Sequence, residues 1–192
     1  MLRIEYLYWL VGAFLIACAV LNLRERHYSM AWFWLILAGP FVFGDAILSA
    51  LKQGQAWPAQ AMGVGVIALG LLAARGRLRM SADGPGEQEQ RNQSATHLGN
   101  RLFGPALAIP ALTVALFLGG KFLASQGIEL LDPKNLTLTA LGLASVLALF
   151  AAFRVTRAKP LQSIHEGRRL LDSLGWAVLL PMILATLGGV FA

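Results

Sequence analysis

Cysteine is nearly missing: Cys18 is the only one in 192 residues. A single thiol makes neither an intrachain disulfide nor a thiolate metal cage, which excludes stapled secreted scaffolds and cysteine-ligated metal sites. Charge is scarce as well, at 14% of residues, and acidic side chains are the scarcer sign, ten against sixteen basic ones. There is no G-x-x-x-x-G-K-[ST] loop (Gly119-Gly120-Lys121-Phe122 lacks the rest), so the chain has no phosphate loop with which to hydrolyse ATP. No H-E-x-x-H pair occurs, and His27, His97 and His165 lie far apart in polar segments. No nucleophile–base pair is evident in the apolar stretches. The chain therefore reads as a non-enzyme with no cofactor and no metal site.

Apolar residues fill the space these absences leave, at 57% of the chain. Crossing a hydrocarbon core of roughly 30 Å takes a helix of about 20 apolar residues. Stretches of that kind run over 6–21, 31–51, 57–74, 103–123, 136–153 and 174–192. Strand-like alternation is missing over any useful length. The expectation is an all-α polytopic membrane protein with about six transmembrane helices.

The net charge of +6 invites a nucleic-acid reading, but the placement of the charges argues against it. Arg24 and Arg26 fall in the first loop, and Arg75, Arg77, Arg79, Arg91 and Arg101 in the third. Arg154, Arg157, Lys159, Arg168 and Arg169 fall in the fifth, so twelve of the sixteen basic residues sit on one side. Basic residues are retained in the cytoplasm, which puts the odd loops inside and the N-terminus outside. Tyr6, Tyr8, Trp9, Trp32, Trp34, Trp57 and Trp176 stand near span ends, where amphipathic rings meet headgroups. Leu15-Ile16-Ala17-Cys18 is similar to a lipoprotein cleavage box. Met1–Glu5 carries no net positive charge, however, and Arg24 and Arg26 follow directly, so an uncleaved first helix is expected.

Three regions follow. Residues 1–74 form a three-helix membrane segment, and 75–102 a polar cytoplasmic loop with almost nothing apolar to bury, hence expected to be disordered. Residues 103–192 form a second three-helix segment. Within it, Leu161, Ile164 and Leu171 have helical spacing, and Glu166–Arg169 and Arg168–Asp172 are spaced for ion pairs. Residues near 161–172 read as a helix on the inner surface of the bilayer, or as a contact for a partner subunit.

Asp45 is the only acidic residue deep inside a span. It follows Gly39, Pro40 and Gly44, a combination that loosens or breaks a helix. A carboxylate beside such a break can bind Na⁺ or carry a proton; near the outer interface it can equally be solvated or paired with Lys52. Asn100 and Arg101, before the fourth span, can contact a carboxylate substrate or simply anchor at headgroups. Pro110 supplies a second candidate break. Asp132-Pro133 reads as a helix N-cap followed by proline at the first helical position. Ala140, Ala144, Ala148 and Ala152 repeat every four residues, a stripe that lets another helix approach closely.

Taken in order, several pieces resemble a known family: Leu7-Tyr8-Trp9-Leu10, Leu23-Arg24-Glu25-Arg26 and Phe43-Gly44-Asp45. Leu98-Gly99-Asn100-Arg101-Leu102-Phe103-Gly104-Pro105-Ala106-Leu107, Leu131-Asp132-Pro133-Lys134-Asn135 and Arg168-Arg169-Leu170-Leu171-Asp172 with Gly175-Trp176 continue the likeness. The family is one of bacterial inner-membrane proteins catalogued as domain of unknown function 979. The resemblance implies a permease subunit working with a second membrane protein and associated with 5-oxoproline metabolism. Its members continue with further spans, so it also implies that this chain corresponds to their N-terminal part. The expected function is thus a subunit of a secondary transporter for a small carboxylate, coupled to H⁺ or Na⁺, with Asp45, Asn100 and Arg101 as substrate or coupling residues. A non-catalytic assembly subunit, using the alanine stripe and residues 161–172 as contact surfaces, is the alternative.

Overall fold

The computed structural model describes residues 3–74, 85–128, 130–157 and 160–178, together with 180, 181 and 184. These residues form seven α-helices in chain order: α1 (Ile4–Arg24), α2 (Tyr28–Lys52), α3 (Trp57–Ala74), α4 (Pro85–Leu98), α5 (Phe103–Ser125), α6 (Leu136–Thr156) and α7 (Pro160–Leu174). No strand occurs among the described residues. Helices α1, α2, α3, α5 and α6 are long and apolar enough to cross a membrane. The architecture is that of a helical membrane protein. Of the sixth expected span, 174–192, only residues 174–178, 180, 181 and 184 are described: Leu174 ends α7 and Gly175–Val178 form a 3₁₀ turn.

Contacts divide the chain into two compact units that are each discontinuous in sequence. One comprises Val11–Ala82 and Leu161–Ala192, the other Met1–Leu10 and Asp83–Pro160. The contiguous three-plus-three division expected from hydropathy is therefore not the division that packing makes. Helix α7 belongs with α1, α2 and α3 because its buried polar side chains find their partners there.

In the first unit, α1 and α2 form a helical hairpin. Its turn is a Schellman cap: the His27 amide donates to the Asn22 carbonyl at 2.9 Å and the Arg26 amide to Leu23 at 3.1 Å. Leu15, Cys18 and Ala19 of α1 meet Met30, Phe33, Trp34, Leu37 and Ala38 of α2 in one core, which Leu69 of α3 joins. The expected break at Gly39, Pro40 and Gly44 does not occur: α2 is helical throughout Tyr28–Lys52. Proline removes one backbone donor, but helices tolerate that loss where neighbours pack against them. Gly39 serves close packing instead, since a Cβ there would stand 3.1 Å from Met62 Cε of α3.

In the second unit α5 packs along α6. Pro110 likewise leaves α5 unbroken over Phe103–Ser125. Thr139, Ala140, Ala144 and Ala148 are buried and Ala152 is half-buried, so the alanine stripe is covered within the chain itself. Gly142 leaves room for the Leu7 side chain, which a Cβ would strike. Asp132 accepts from Asn135 Nδ2 at 3.2 Å and braces a short 3₁₀ turn over Pro133–Asn135; α6 begins after it, at Leu136. The polar loop differs from expectation as well. Residues 85–98 form helix α4, because Glu87, Gln88, Glu89, Gln90, Arg91 and Gln93 are all good helix formers even without a core to bury. Residues 75–84 lie outside the described residues.

Candidate functional site

Among the described residues, the charged side chains that are buried are on α7. Arg168 and Asp172 are one helical turn apart and are 9% and 8% exposed, values unusual for charged side chains in so apolar a chain. They face the hairpin of α1 and α2. Asn22, in the last turn of α1, is 2% exposed, and Trp34, two turns into α2, is fully buried. The Schellman turn carries Glu25 to the same place, with its Arg26 held at a left-handed φ of 61°.

The carboxylate of Asp172 is the hub. Trp34 Nε1 donates to its Oδ1 at 2.6 Å, short enough for a charge-assisted bond. Asn22 Nδ2 donates to the Cys18 carbonyl at 3.0 Å and reaches the same Oδ1 at 3.5 Å. Arg168 Nη1 stands 2.8 Å from Glu25 Oε2, while its Nε is 4.0 Å from Asp172 Oδ2. Neither nitrogen has a hydrogen-bonding geometry with any acceptor among the described residues, so the short Arg168–Glu25 approach is an ion pair by distance only. The ring of Phe33 meets that of Trp34 edge to face, with centroids 4.9 Å apart, and holds the indole in place.

With both carboxylates ionised the group carries one negative charge in excess. Burial pushes the Asp172 carboxyl above its ordinary range, against the lowering effects of Trp34, Asn22 and Arg168; Glu25 adds to the rise. Such an arrangement can take up a cation or a proton, and it ties α7 to the hairpin. Among the described residues no three His, Cys, Asp or Glu side chains gather closely enough to hold a metal ion.

Sequence reasoning singled out other residues. Asp45 is exposed on α2, and no ion pair or hydrogen bond of its side chain occurs among the described residues. Asn100 and Arg101 are exposed in a 3₁₀ turn over Gly99–Leu102, in the other compact unit. The ion pairs foreseen on α7 are present: Arg169 Nε lies 2.9 Å from Glu166 Oε2, and Arg168–Asp172 is the looser pair described above. What pattern reading missed is that Arg168 and Asp172 turn inward. Two signals pointed there: Asn22, a polar residue directly at the end of an apolar span, and Glu25, the lone acid among the arginines of its loop.

No curated protein and no solved structure gives a match to this sequence. A family model does match, over residues 5–192, and by that match the chain belongs to the family of proteins of unknown function DUF979.

Proposed function

We propose that this chain is a subunit of a secondary transporter in a bacterial inner membrane, moving a small carboxylate together with a second membrane protein, and not an enzyme. The observation that carries the reading is the buried pair of Arg168 and Asp172, with the exposed Glu25 at its edge, in a chain with five helices fit to span a bilayer. Burying charge in such a protein costs several kcal/mol per ion, and it is seen mainly where ions, protons or substrates are handled. Asp45 supports the second subunit. An exposed carboxylate on a spanning helix is costly against lipid, and a polar path or a partner covering it offsets that cost. The resemblance in sequence favours 5-oxoproline as the solute. The assembly-only reading loses one of its two supports, because Ala140, Ala144 and Ala148 are already covered within the chain.

The test is uptake of labelled 5-oxoproline by cells lacking their own system, expressing this chain with and without its companion. Saturable uptake that collapses with an uncoupler or on sodium removal is the expected result. No uptake in either case, with both proteins confirmed in the membrane, would sink the proposal for this solute.

A further inference from the structure

We propose that Asp172 is a proton-binding site, and that docking of α7 onto α1 and α2 takes up one proton there from water. The inference rests on helix contacts alone and does not depend on which solute, if any, the chain transports. Two carboxylates compete for one guanidinium, and Arg168 makes its close approach to Glu25. Asp172 Oδ1 is served by Trp34 and Asn22. Oδ2 accepts no hydrogen bond among the described residues, and the guanidinium nitrogen facing it stays at 4.0 Å. An ionised Asp172 in this position leaves Oδ2 without a donor among the described residues and the group at a net charge of −1, with Arg168 and Asp172 buried and Glu25 exposed at the edge. A proton on Oδ2 brings that charge to zero, while Oδ1 keeps its bond from the indole.

The groups facing Asp172 are few. From α1 and its turn come the Cys18 thiol, the Asn22 amide and Glu25; from α2, the Trp34 indole; from α7 itself, Arg168. Only Arg168 favours the ionised form through its charge, and Glu25 opposes it. Burial works in the same direction as Glu25, so the docked carboxyl holds its proton to a higher pH than an exposed aspartate with its ordinary value of 3.8. A raised value in the docked state fixes the sign. The stabilisation is complete below the ordinary value and is lost as pH rises through the docked value. Undocking α7 returns the proton to water, so α7 docks more tightly in acid.

Cys18 provides the readout, as the only thiol in the chain, fully buried and one turn before Asn22. The full chain in lipid nanodiscs would be labelled with 4,4′-dithiodipyridine between pH 4 and 8. Each rate is divided by that of the SDS-unfolded chain at the same pH, which cancels the ionisation of the thiol. The ratio is expected to rise with pH, by at most about tenfold per unit for one linked proton. Asp172→Asn, which mimics the protonated acid, is expected to give a low and flat ratio. Glu25→Gln is expected to make the rise level off at a lower pH, and it keeps the test decisive if the first variant fails to fold. A flat wild-type ratio, or the same rise in Asp172→Asn, would overturn the proposal.

Discussion

At the scale of single residues, Trp34 and Asp172 depend on each other. A buried indole needs an acceptor, and a buried carboxylate needs donors; each is the other's closest partner at 2.6 Å. Trp34→Phe keeps most of the apolar packing and removes the donor. It is expected to cost about 1.5–3 kcal/mol at a pH high enough to ionise the docked Asp172, the usual range for a hydrogen bond to a charged group. In an Asp172→Asn background the same substitution should cost about half as much, because neutral pairs are roughly half as strong. Thermal unfolding of the four proteins in detergent, followed by circular dichroism, closes the cycle. Equal costs in the two backgrounds would show that Trp34 acts through packing alone. Arg168 is a different case, since it is held by charge at 2.8 Å from Glu25 without a hydrogen bond. Its role is to make two carboxylates tolerable in one place rather than to orient either.

Among the helices, α7 is the element whose position carries the argument. It lies against α1 closely enough that a Cβ on Gly167 would stand 2.8 Å from Phe14 Cζ. Gly167→Ala is therefore expected to lift α7 or displace the ring, at about 1–3 kcal/mol for an overpacked contact. Cys18 labelling at fixed pH should quicken by at least several-fold; an unchanged rate would mean that α7 does not shield the hairpin. The helix ends carry a second lesson. Left-handed residues after helix ends are glycine at Gly54, Gly99, Gly127 and Gly175 but arginine at Arg26 and Arg157. Strain of about 1–2 kcal/mol is the cost of a side chain in that conformation. Both arginines lie on the side that charge bias assigns to the cytoplasm, where a cation also complements the helix C-terminus. Topology and capping thus outweigh local strain there. Much of this level was legible in advance: five spans, the helix over 161–172 and its ion-pair spacing follow from hydropathy and period. The apparent breaks at Pro40 and Pro110 were misread because proline's local rule yields to the packing of a whole span. The ionic group itself stayed hidden, since its hydrogen bonds join residues 138 and 150 positions apart.

For the whole molecule, the open question is what meets the exposed surface of the spanning helices. Apolar side chains such as Phe43, Leu48, Val64, Leu107 and Leu118 need only lipid. Asp45 does not fit that surface, because a carboxylate on a spanning helix is costly against lipid, up to about 2.5–3.5 kcal/mol at the centre of the span by the mildest scale. A water-lined path and a companion subunit both offset that cost, and they differ in what reaches the position. With Cys18 replaced by alanine, Asp45→Cys expressed alone is expected to react with a charged, water-soluble thiol reagent. Co-expression of the companion should slow that reaction at least several-fold if the second subunit covers this face of α2. Undiminished reaction with the companion bound would leave Asp45 on an open aqueous path and return it to the role of a coupling carboxylate. No reaction in either state would place the side chain against lipid or inside an assembly of this chain with itself, and the two-subunit reading of Asp45 would fall.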